Sequence, residues 1–361
     1  MKKHLLSIIF SIICSYLASV QGLPCTTFML NNNGQPVYGK NAEGADRPAY
    51  VIVNKRGVEK SVQQTNGIPL TWTSRFGSVT FNFVAREWPL DGINEAGLFV
   101  SAMAGEGLAK DEYPEPDSRK IISQIVQYQL DNFRTVAEVI ASYQMVLPAR
   151  PAEDAGMQGA SHWLISDSQE HCASIEFLDG KFVCHTGWSM PAKALANSTY
   201  DHSIAYFWQY RFLTLFSPIP IPDDDRPSLL RFAVAADQVK KYRPQRSGPA
   251  IDYAFQILTN VEGIPGYSAT WSAVYDSANK RIYFRSCSND QIRWFDLSVF
   301  DFSCTTPVQV LDINADLSGD VTNSFVDYTK EINLEMINSW GMPQAAIDYI
   351  SSYPDTTVCT E

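Results

Sequence analysis

An Asn33-Gly34 pair between two β-type runs is the feature that most constrains what this chain can fold into. The runs read "CTTFML" (25–30) and "QPVYGKN" (35–41). Asn-Gly is the preferred centre of a two-residue hairpin turn, because both of its positions require a positive φ. The sequence therefore predicts an antiparallel hairpin that begins at a cysteine.

The register of this hairpin determines the surroundings of Cys25. Counting outward from the two-residue loop pairs Cys25 with Ala42, and a slip of one residue would reverse the faces. Lys40 and Glu43 then lie within a residue or two of the thiol. The hairpin therefore predicts a cation and a carboxylate near a cysteine at the end of a strand.

Further β-type runs separated by turn residues continue to position 104 and return in the second half of the chain. Two more hairpins are predicted, one on Asp179-Gly180 and one that turns near 277–279. Short hairpin connections favour antiparallel pairing, because parallel strands need long crossovers.

Helices are predicted between these groups of strands. Apolar residues recur at helical spacing over 118–146, with a break near Asn132, and over 228–242 and 250–261. Groups of strands separated by groups of helices indicate a layered α+β domain with a largely antiparallel core. We expect one domain over 25–361.

Residues 1–22 have the pattern of a cleaved secretory leader. Two lysines precede an apolar run over 5–18, which is too short to be a spanning helix. Cleavage after Gly22 would leave 23–24 as a short propeptide ahead of Cys25. A lipoprotein anchor is less favoured, because "GLP" lacks the usual Leu-small-small run. We expect an exported protein, periplasmic or secreted.

Composition excludes several classes of function. The net charge of −11 argues against a nucleic-acid partner, which would require a basic surface. No later segment is apolar enough to span a bilayer, and the cysteines and histidines lack metal-site spacing. Six cysteines follow the leader, and five remain to pair if Cys25 is a free nucleophile. A bridge between Cys172 and Cys184 is disfavoured, because the second hairpin places Ile175 opposite Cys184.

Cys25 has two interpretations. A cysteine in a strand is most often a small buried apolar residue. A nucleophilic thiol needs a base, and no histidine lies in this hairpin. A free α-amine, with a pKa of about 7.7–8.0, is a suitable base, whereas a peptide nitrogen is not. Cys25 therefore carries its own base only if the Pro24–Cys25 bond is cut.

Six segments in order resemble the choloylglycine hydrolase family, the linear-amide C–N hydrolases that include bile salt hydrolases and penicillin V acylases within the N-terminal-nucleophile superfamily. They are "CTTFML…VYGKNAEG", "DGINEAGLFVSAM", "HWLISDSQEHCASIEFLDGK", "ALANSTYD", "SLLRFAVAADQV" and "WSAVYDSANKRIYFRS". The resemblance runs from Cys25 to about Asp301. It implies a four-layer αββα sandwich with two packed, largely antiparallel sheets.

The resemblance also implies roles for individual residues. Cys25 would be the nucleophile and, through its α-amine, the base. Asn197 would donate to the oxyanion and Arg231 would lie beside the nucleophile. The family's arginine and aspartate in the first hairpin fall on Lys40 and Glu43, which keep the charges but not the geometry. A second, main-chain oxyanion donor falls on Ala104, or on Met103 if the alignment slips by one residue.

Each of these assignments has a plainer alternative. Asn197 opens "NST", a glycosylation acceptor pattern, and Arg231 can simply pair on a helix. Lys40 and Glu43 can form a surface ion pair that contributes little to stability.

The resemblance implies hydrolysis of an N-acyl amide with an apolar acyl group through a thioester, with no cofactor and no metal. The substrate type would be a conjugated bile salt, penicillin V, or an N-acyl amine or lactone. Alternatives are an exported acyl-ligand binding module, a purely structural exported protein, and an acyltransferase that uses the same chemistry. The oligomeric state stays open.

Overall fold

The structure is a computed structural model that describes residues 24–44, 46–62, 69–105, 113–114, 117–149, 161–215, 227–263, 269–342 and 344–360. The expected leader over 1–22 and the first propeptide residue, Leu23, lie outside the described residues.

The described strands are short, as the turn residues between the β-type runs predict. They are β1 Cys25–Leu30, β2 Val37–Ala42, β3 Tyr50–Asn54, β4 Val58–Val62, β5 Leu70–Thr73, β6 Ser78–Asn82, β7 Asp91–Asn94, β8 Phe99–Ala104, β9 Lys120–Ile122, β10 Val146–Pro148, β11 Ser161–Ser166, β12 Cys172–Leu178, β13 Lys181–Thr186, β14 Ala194–Leu195, β15 Trp271–Asp276, β16 Arg281–Ser286, β17 Arg293–Asp296, β18 Gln309–Asp312, β19 Gly319–Asp320, β20 Val326–Asp327 and β21 Val358–Cys359.

Two large sheets organise the strands. The first has the order β14-β1-β2-β15-β16-β17-β19, and the second has the order β13-β12-β11-β8-β7-β6-β3-β18-β20. Neighbouring strands within them are antiparallel, except for the parallel β17–β19 pair. Tyr38 of the first sheet stacks on Phe99 of the second, with ring centroids 4.7 Å apart, and Phe81 packs against Trp271 in the same interior. The sheets therefore enclose one apolar core between them.

The described helices cover the outer faces. They are α1 Ile125–Asn132, α2 Val136–Ser142, α3 Tyr200–Thr214, α4 Ser228–Lys241, α5 Ala250–Asn260, α6 Lys330–Asn338 and α7 Gln344–Ser352. Helices α4 and α5 pack on β1, β2, β14 and β15 of the first sheet, whereas α1 packs on β7 and β8 of the second. The expected α+β sandwich of two packed antiparallel sheets is confirmed.

Most local predictions agree with the structure, but the helical segment predicted over 118–146 is wrong at its ends, where β9 and β10 pair in parallel. Asn33 and Gly34 have φ values of 56° and 80°, and Cys25 pairs with Ala42. The long helical segment breaks after Asn132.

Cys172 and Cys184 lie as the register of the Asp179-Gly180 hairpin predicts. Ile175 lies opposite Cys184, and neither Cys172 nor Cys184 is bridged. A disulfide joins Cys304 to Cys359 and ties the end of the chain back to the body of the fold.

Candidate active site

Cys25 opens β1 at one end of the sandwich and is only 2% exposed. Partners in an antiparallel pair point to the same face, and alternate residues of a strand share that face. Ala42, the partner of Cys25, therefore shares a face with Lys40 and Tyr38. That face is turned towards the second sheet, because Lys40 reaches Ala102 of β8. The thiol therefore points into the space between the sheets.

The peptide bond before Cys25 is held on both sides. Glu43 donates its main-chain N–H to the carbonyl oxygen of Pro24 at 3.0 Å. The N–H of Cys25 donates to Oδ1 of Asn197 at 2.8 Å. The Pro24–Cys25 bond therefore extends the β1–β2 ladder and lies between a main-chain donor and a side-chain acceptor.

Asn197 is held in one orientation. Its Oδ1 accepts from Cys25 and from Nη2 of Arg231 at 2.7 Å, while its Nδ2 donates to the carbonyl of Ala104 at 2.8 Å. Oxygen and nitrogen are distinguished by these partners, because an arginine can only donate and a carbonyl can only accept. At 3% exposure this side chain is no surface acceptor, so the structure contradicts the glycosylation interpretation.

Arg231 reaches the start of β1 from helix α4. Its Nη1 donates to the Cys25 carbonyl at 2.5 Å and to Oγ1 of Thr26 at 3.0 Å. The planar guanidinium thus ties the nucleophile's main chain and the Asn197 amide into one rigid unit. Arg231 therefore does more than pair along its own helix.

The structure distinguishes between the two main-chain donors considered. Ala102 donates its N–H to Leu90 and accepts from Lys40 through its carbonyl, so its polar groups point away from β11. The N–H and C=O groups of successive residues point to opposite sides of a strand. Those of Ala104 therefore point in the same direction as those of Ala102, towards Asn197. Those of Met103 point towards its partner His162 in β11. Ala104 is therefore the residue whose N–H faces the site.

Lys40 is fully buried, and its ammonium donates to the Ala102 carbonyl at 3.0 Å. Nearby Asp91 of β7 accepts hydrogen bonds from Trp271 and Tyr275. Burial raises the pKa of Asp91 to about 6, although the charge of Lys40 and both hydrogen bonds oppose the shift. Lys40 therefore supplies positive charge inside the sandwich, not at its surface.

Glu43 is also buried, at 5% exposure, so the surface ion-pair interpretation of Lys40 and Glu43 is wrong. Its Oε2 accepts the N–H of Gly263 at 2.7 Å, while Oε1 has no hydrogen-bond partner among the described residues. Burial raises the pKa of Glu43 to about 7, and the charge of Arg231 and the Gly263 N–H oppose this shift. A carboxyl group that titrates near neutrality therefore lies beside the Pro24–Cys25 bond.

Comparison with known proteins identifies the fold around this site. The family model of linear amide C–N hydrolases, choloylglycine hydrolase family, matches residues 25–310. The chain belongs to this family. It is 28% identical over 333 residues to a penicillin V acylase of Pectobacterium atrosepticum, with 81% of this chain and 86% of that protein covered.

Comparison with solved structures identifies the same fold. A penicillin V acylase from Agrobacterium tumefaciens superposes with a TM-score of 0.67 at 25% identity, covering 84% of this chain and 98% of that one. The fold is also that of a conjugated bile acid hydrolase from Clostridium perfringens, with a TM-score of 0.64 at 20% identity and with 81% and 98% covered. This choloylglycine hydrolase family member is thus an α+β sandwich of a family that hydrolyses C–N bonds in linear amides.

All the residues that the sequence singled out lie at this end of the sandwich, but two neighbours were missed. Gly263 contacts Glu43 across 220 positions, and Asp91 accepts from Trp271 across 180. Asp91 opens the segment "DGINEAGLFVSAM", but nothing local marks Asp91 or Gly263 as a neighbour of the site, because both contacts are made only when distant segments are assembled. The described residues include no helix able to cross a membrane. They also bring together no group of three or more side chains that could hold a metal ion.

Proposed function

We propose that this family member is an exported, self-processing amidohydrolase with an N-terminal cysteine, which cleaves N-acyl amides through a thioester. One observation carries the proposal. The Asn197 side chain joins the nitrogen of Cys25 to the Arg231 guanidinium on one side and to Ala104 on the other. The Cys25 nitrogen, the Asn197 amide, the Arg231 guanidinium and the Ala104 main chain thus meet at one point, which supports the roles of nucleophile, base and oxyanion donor proposed for them.

Processing comes first. Hydrolysis of the Pro24–Cys25 bond consumes one water and converts the Cys25 amide into an α-amine. The Glu43 N–H, which already contacts the Pro24 carbonyl, is placed to polarise that carbonyl during cleavage. The new amine stays beside Oδ1 of Asn197 and can act as a base near neutral pH.

Amide hydrolysis then takes two stages. The α-amine accepts the thiol proton, and the sulfur attacks the substrate carbonyl. The Asn197 amide and the Ala104 N–H stabilise the oxyanion, and the loss of one such donor typically costs about 10²–10³ in rate. The departing amine takes the proton from the α-ammonium, and a thioester remains. Water, deprotonated by the same α-amine, releases the acid.

The substrate class follows from the family and its relatives. The similar proteins are named penicillin V acylases, which favours a phenoxyacetyl or comparably apolar acyl group. Conjugated bile salts and N-acyl amines or lactones remain within the same chemistry. An acyltransferase would share the thioester, and the addition of competing amines distinguishes transfer from hydrolysis.

One set of observations favours a second candidate, an acyl-ligand binding module without turnover. Lys40 and Glu43 occupy positions at which the family pattern has arginine and aspartate. Each of these side chains forms a hydrogen bond inside the fold. A processed protein that binds acyl ligands yet hydrolyses no amide in a broad panel would establish this alternative.

Intact mass and N-terminal sequencing of the exported protein test the proposal, together with hydrolysis of penicillin V and glycine-conjugated bile salts. Wild type should begin at Cys25, whereas Cys25→Ala should retain the residues before it and hydrolyse nothing. Cys172→Ala, a change at another buried strand cysteine, serves as the control and should process normally. A wild-type chain that begins at Leu23 would refute the α-amine mechanism.

A further inference from the structure

A second cavity lies at the opposite end of β1 from the nucleophile. Its volume is about 310 Å³, and Met29 and Asn31 form part of its wall. Met29 is four residues from Cys25, or about 13 Å along an extended strand. The cavity is therefore separate from the amide site, and no step proposed above uses it.

Three basic residues line this cavity. Lys193 lies just before β14, Lys240 is near the end of α4, and Arg243 follows that helix. None of the described residues that line the cavity carries a carboxylate. In a chain of net charge −11, three basic residues that form no ion pair with a described carboxylate make this cavity a locally positive part of the molecule.

The neighbouring carboxylates are engaged elsewhere. Glu170 accepts the N–H of Gly34 through Oε1 at 2.9 Å and offers Lys193 only its main-chain carbonyl, also at 2.9 Å. Asp237 forms an ion pair with Lys241 at 2.6 Å. Neither carboxylate comes within salt-bridge distance of Lys193 or Lys240.

Helix capping accounts for only part of this arrangement. Lys240 donates to the Pro191 carbonyl at 3.1 Å, and Arg243 donates through Nη1 to the carbonyls of Lys240 and Tyr242. Such contacts are typical near a helix C-terminus. An ammonium has three donors and a guanidinium five, so these carbonyls use a minority of the available N–H groups.

We propose that this cavity binds a phosphate group. A tetrahedral dianion presents enough oxygens to meet three cations from different directions, whereas a carboxylate presents only two. Pro191, which is exposed, and Val239, which is partly exposed, add an apolar side to the cavity for the group to which the phosphate is attached. Beyond Lys240, at 5.9 Å from its ammonium, lies the ring of Trp208, which is 47% exposed. The phosphate can therefore be free or be the phosphomonoester of a lipid headgroup.

Lysine acetylation of the wild-type protein gives the first test, because it requires no variant. With inorganic phosphate present, and sodium chloride of equal ionic strength as reference, Lys193 and Lys240 should be protected at least threefold. Lys181 and Lys280, exposed lysines on two other hairpins, should be labelled equally in both buffers. Equal labelling of all four lysines would overturn the proposal.

Calorimetric titration with inorganic phosphate gives the second test. A Lys193→Gln/Lys240→Gln protein keeps a hydrogen-bond donor at each position and should bind at least tenfold more weakly than wild type. The matched Lys181→Gln/Lys280→Gln protein, with the same change in charge, should bind as wild type does. If both double variants lose binding equally, the effect is general electrostatics and the proposal fails.

Sedimentation with phosphatidic acid vesicles, whose headgroup is a phosphomonoester, compared with phosphatidylcholine vesicles, identifies the source of the phosphate. Co-sedimentation of wild type, but not of the Lys193→Gln/Lys240→Gln protein, assigns the site to a lipid headgroup. Binding of inorganic phosphate without co-sedimentation assigns it to a free phosphate or a small phosphomonoester. Absence of both refutes the site, and amidase activity should not change in any of these proteins.

Discussion

Gly263 lies so close to Glu43 that a Cβ at Gly263 would stand 2.5 Å from Oε2 of the carboxylate. The same carboxylate oxygen accepts the Gly263 N–H at 2.7 Å. The loop after α5 thus approaches the end of β2 closely enough to need a glycine, and this approach buries the Glu43 carboxyl group.

Gly263→Ala should therefore destabilise the protein through Glu43. Crowding in a packed interior typically costs about 1–3 kcal/mol, and we expect a loss in this range in urea denaturation. In a Glu43→Ala background the same change should cost much less, because the crowded oxygen is gone. Equal costs in the two backgrounds would show that the contact does not determine the effect.

Glu43→Gln should alter how stability depends on pH. Burial raises the pKa of Glu43 from about 4.5 to about 7. Between these values the folded state binds the proton more tightly than the unfolded state, so stability is lost as pH rises through this window. Linkage sets the loss at about 3 kcal/mol.

The glutamine variant lacks this titration. The difference between its free energy of unfolding and that of wild type should therefore increase, in favour of the variant, by about 3 kcal/mol from pH 4.5 to pH 7.5. Glu59→Gln, a change at an exposed glutamate, provides the reference curve. Parallel curves for wild type and Glu43→Gln would mean that Glu43 does not titrate in this window.

Arg231→Lys should lower kcat more than it changes KM. A lysine cannot contact the Cys25 carbonyl, Thr26 and Asn197 together, so the Asn197 amide loses its fixed orientation. The expected fall approaches that for the loss of one oxyanion donor, about 10²-fold. Arg285→Lys, at a partly exposed arginine, should stay within about twofold of wild type, because the described hydrogen bonds of the Arg285 side chain are with Glu262 and Thr259 and not with the groups around Cys25. An unchanged kcat in Arg231→Lys would refute the role of Arg231 in positioning the Asn197 amide.

Cys304→Ser/Cys359→Ser should lower stability without changing amide hydrolysis. The disulfide closes a separation of 55 residues, for which chain entropy gives about 4 kcal/mol. Cys287→Ser, at an unbridged cysteine, should have little effect. Thiol titration of the denatured protein that begins at Cys25 should count four free thiols before reduction and six after it. Six before reduction would exclude the bridge.

The elements that depend on neighbouring residues could be predicted from the sequence. The Asn33-Gly34 turn and its register with Cys25 follow from the φ values that two adjacent positions require. The break after Asn132 follows from periodicity. Arg231 and Asn197 became candidates only through resemblance, since a lone arginine or asparagine has no local signature of a site.

The sequence by itself determined the hairpin that begins at Cys25, the alternation of strands and helices, and the charges carried by Lys40 and Glu43. Only the tertiary structure decided where those charges lie. Lys40 is turned inward by the second sheet, and Glu43 is enclosed by Gly263. The physical reason is that turn geometry depends on adjacent residues, whereas burial and the pKa of a carboxyl group depend on segments far apart in the chain.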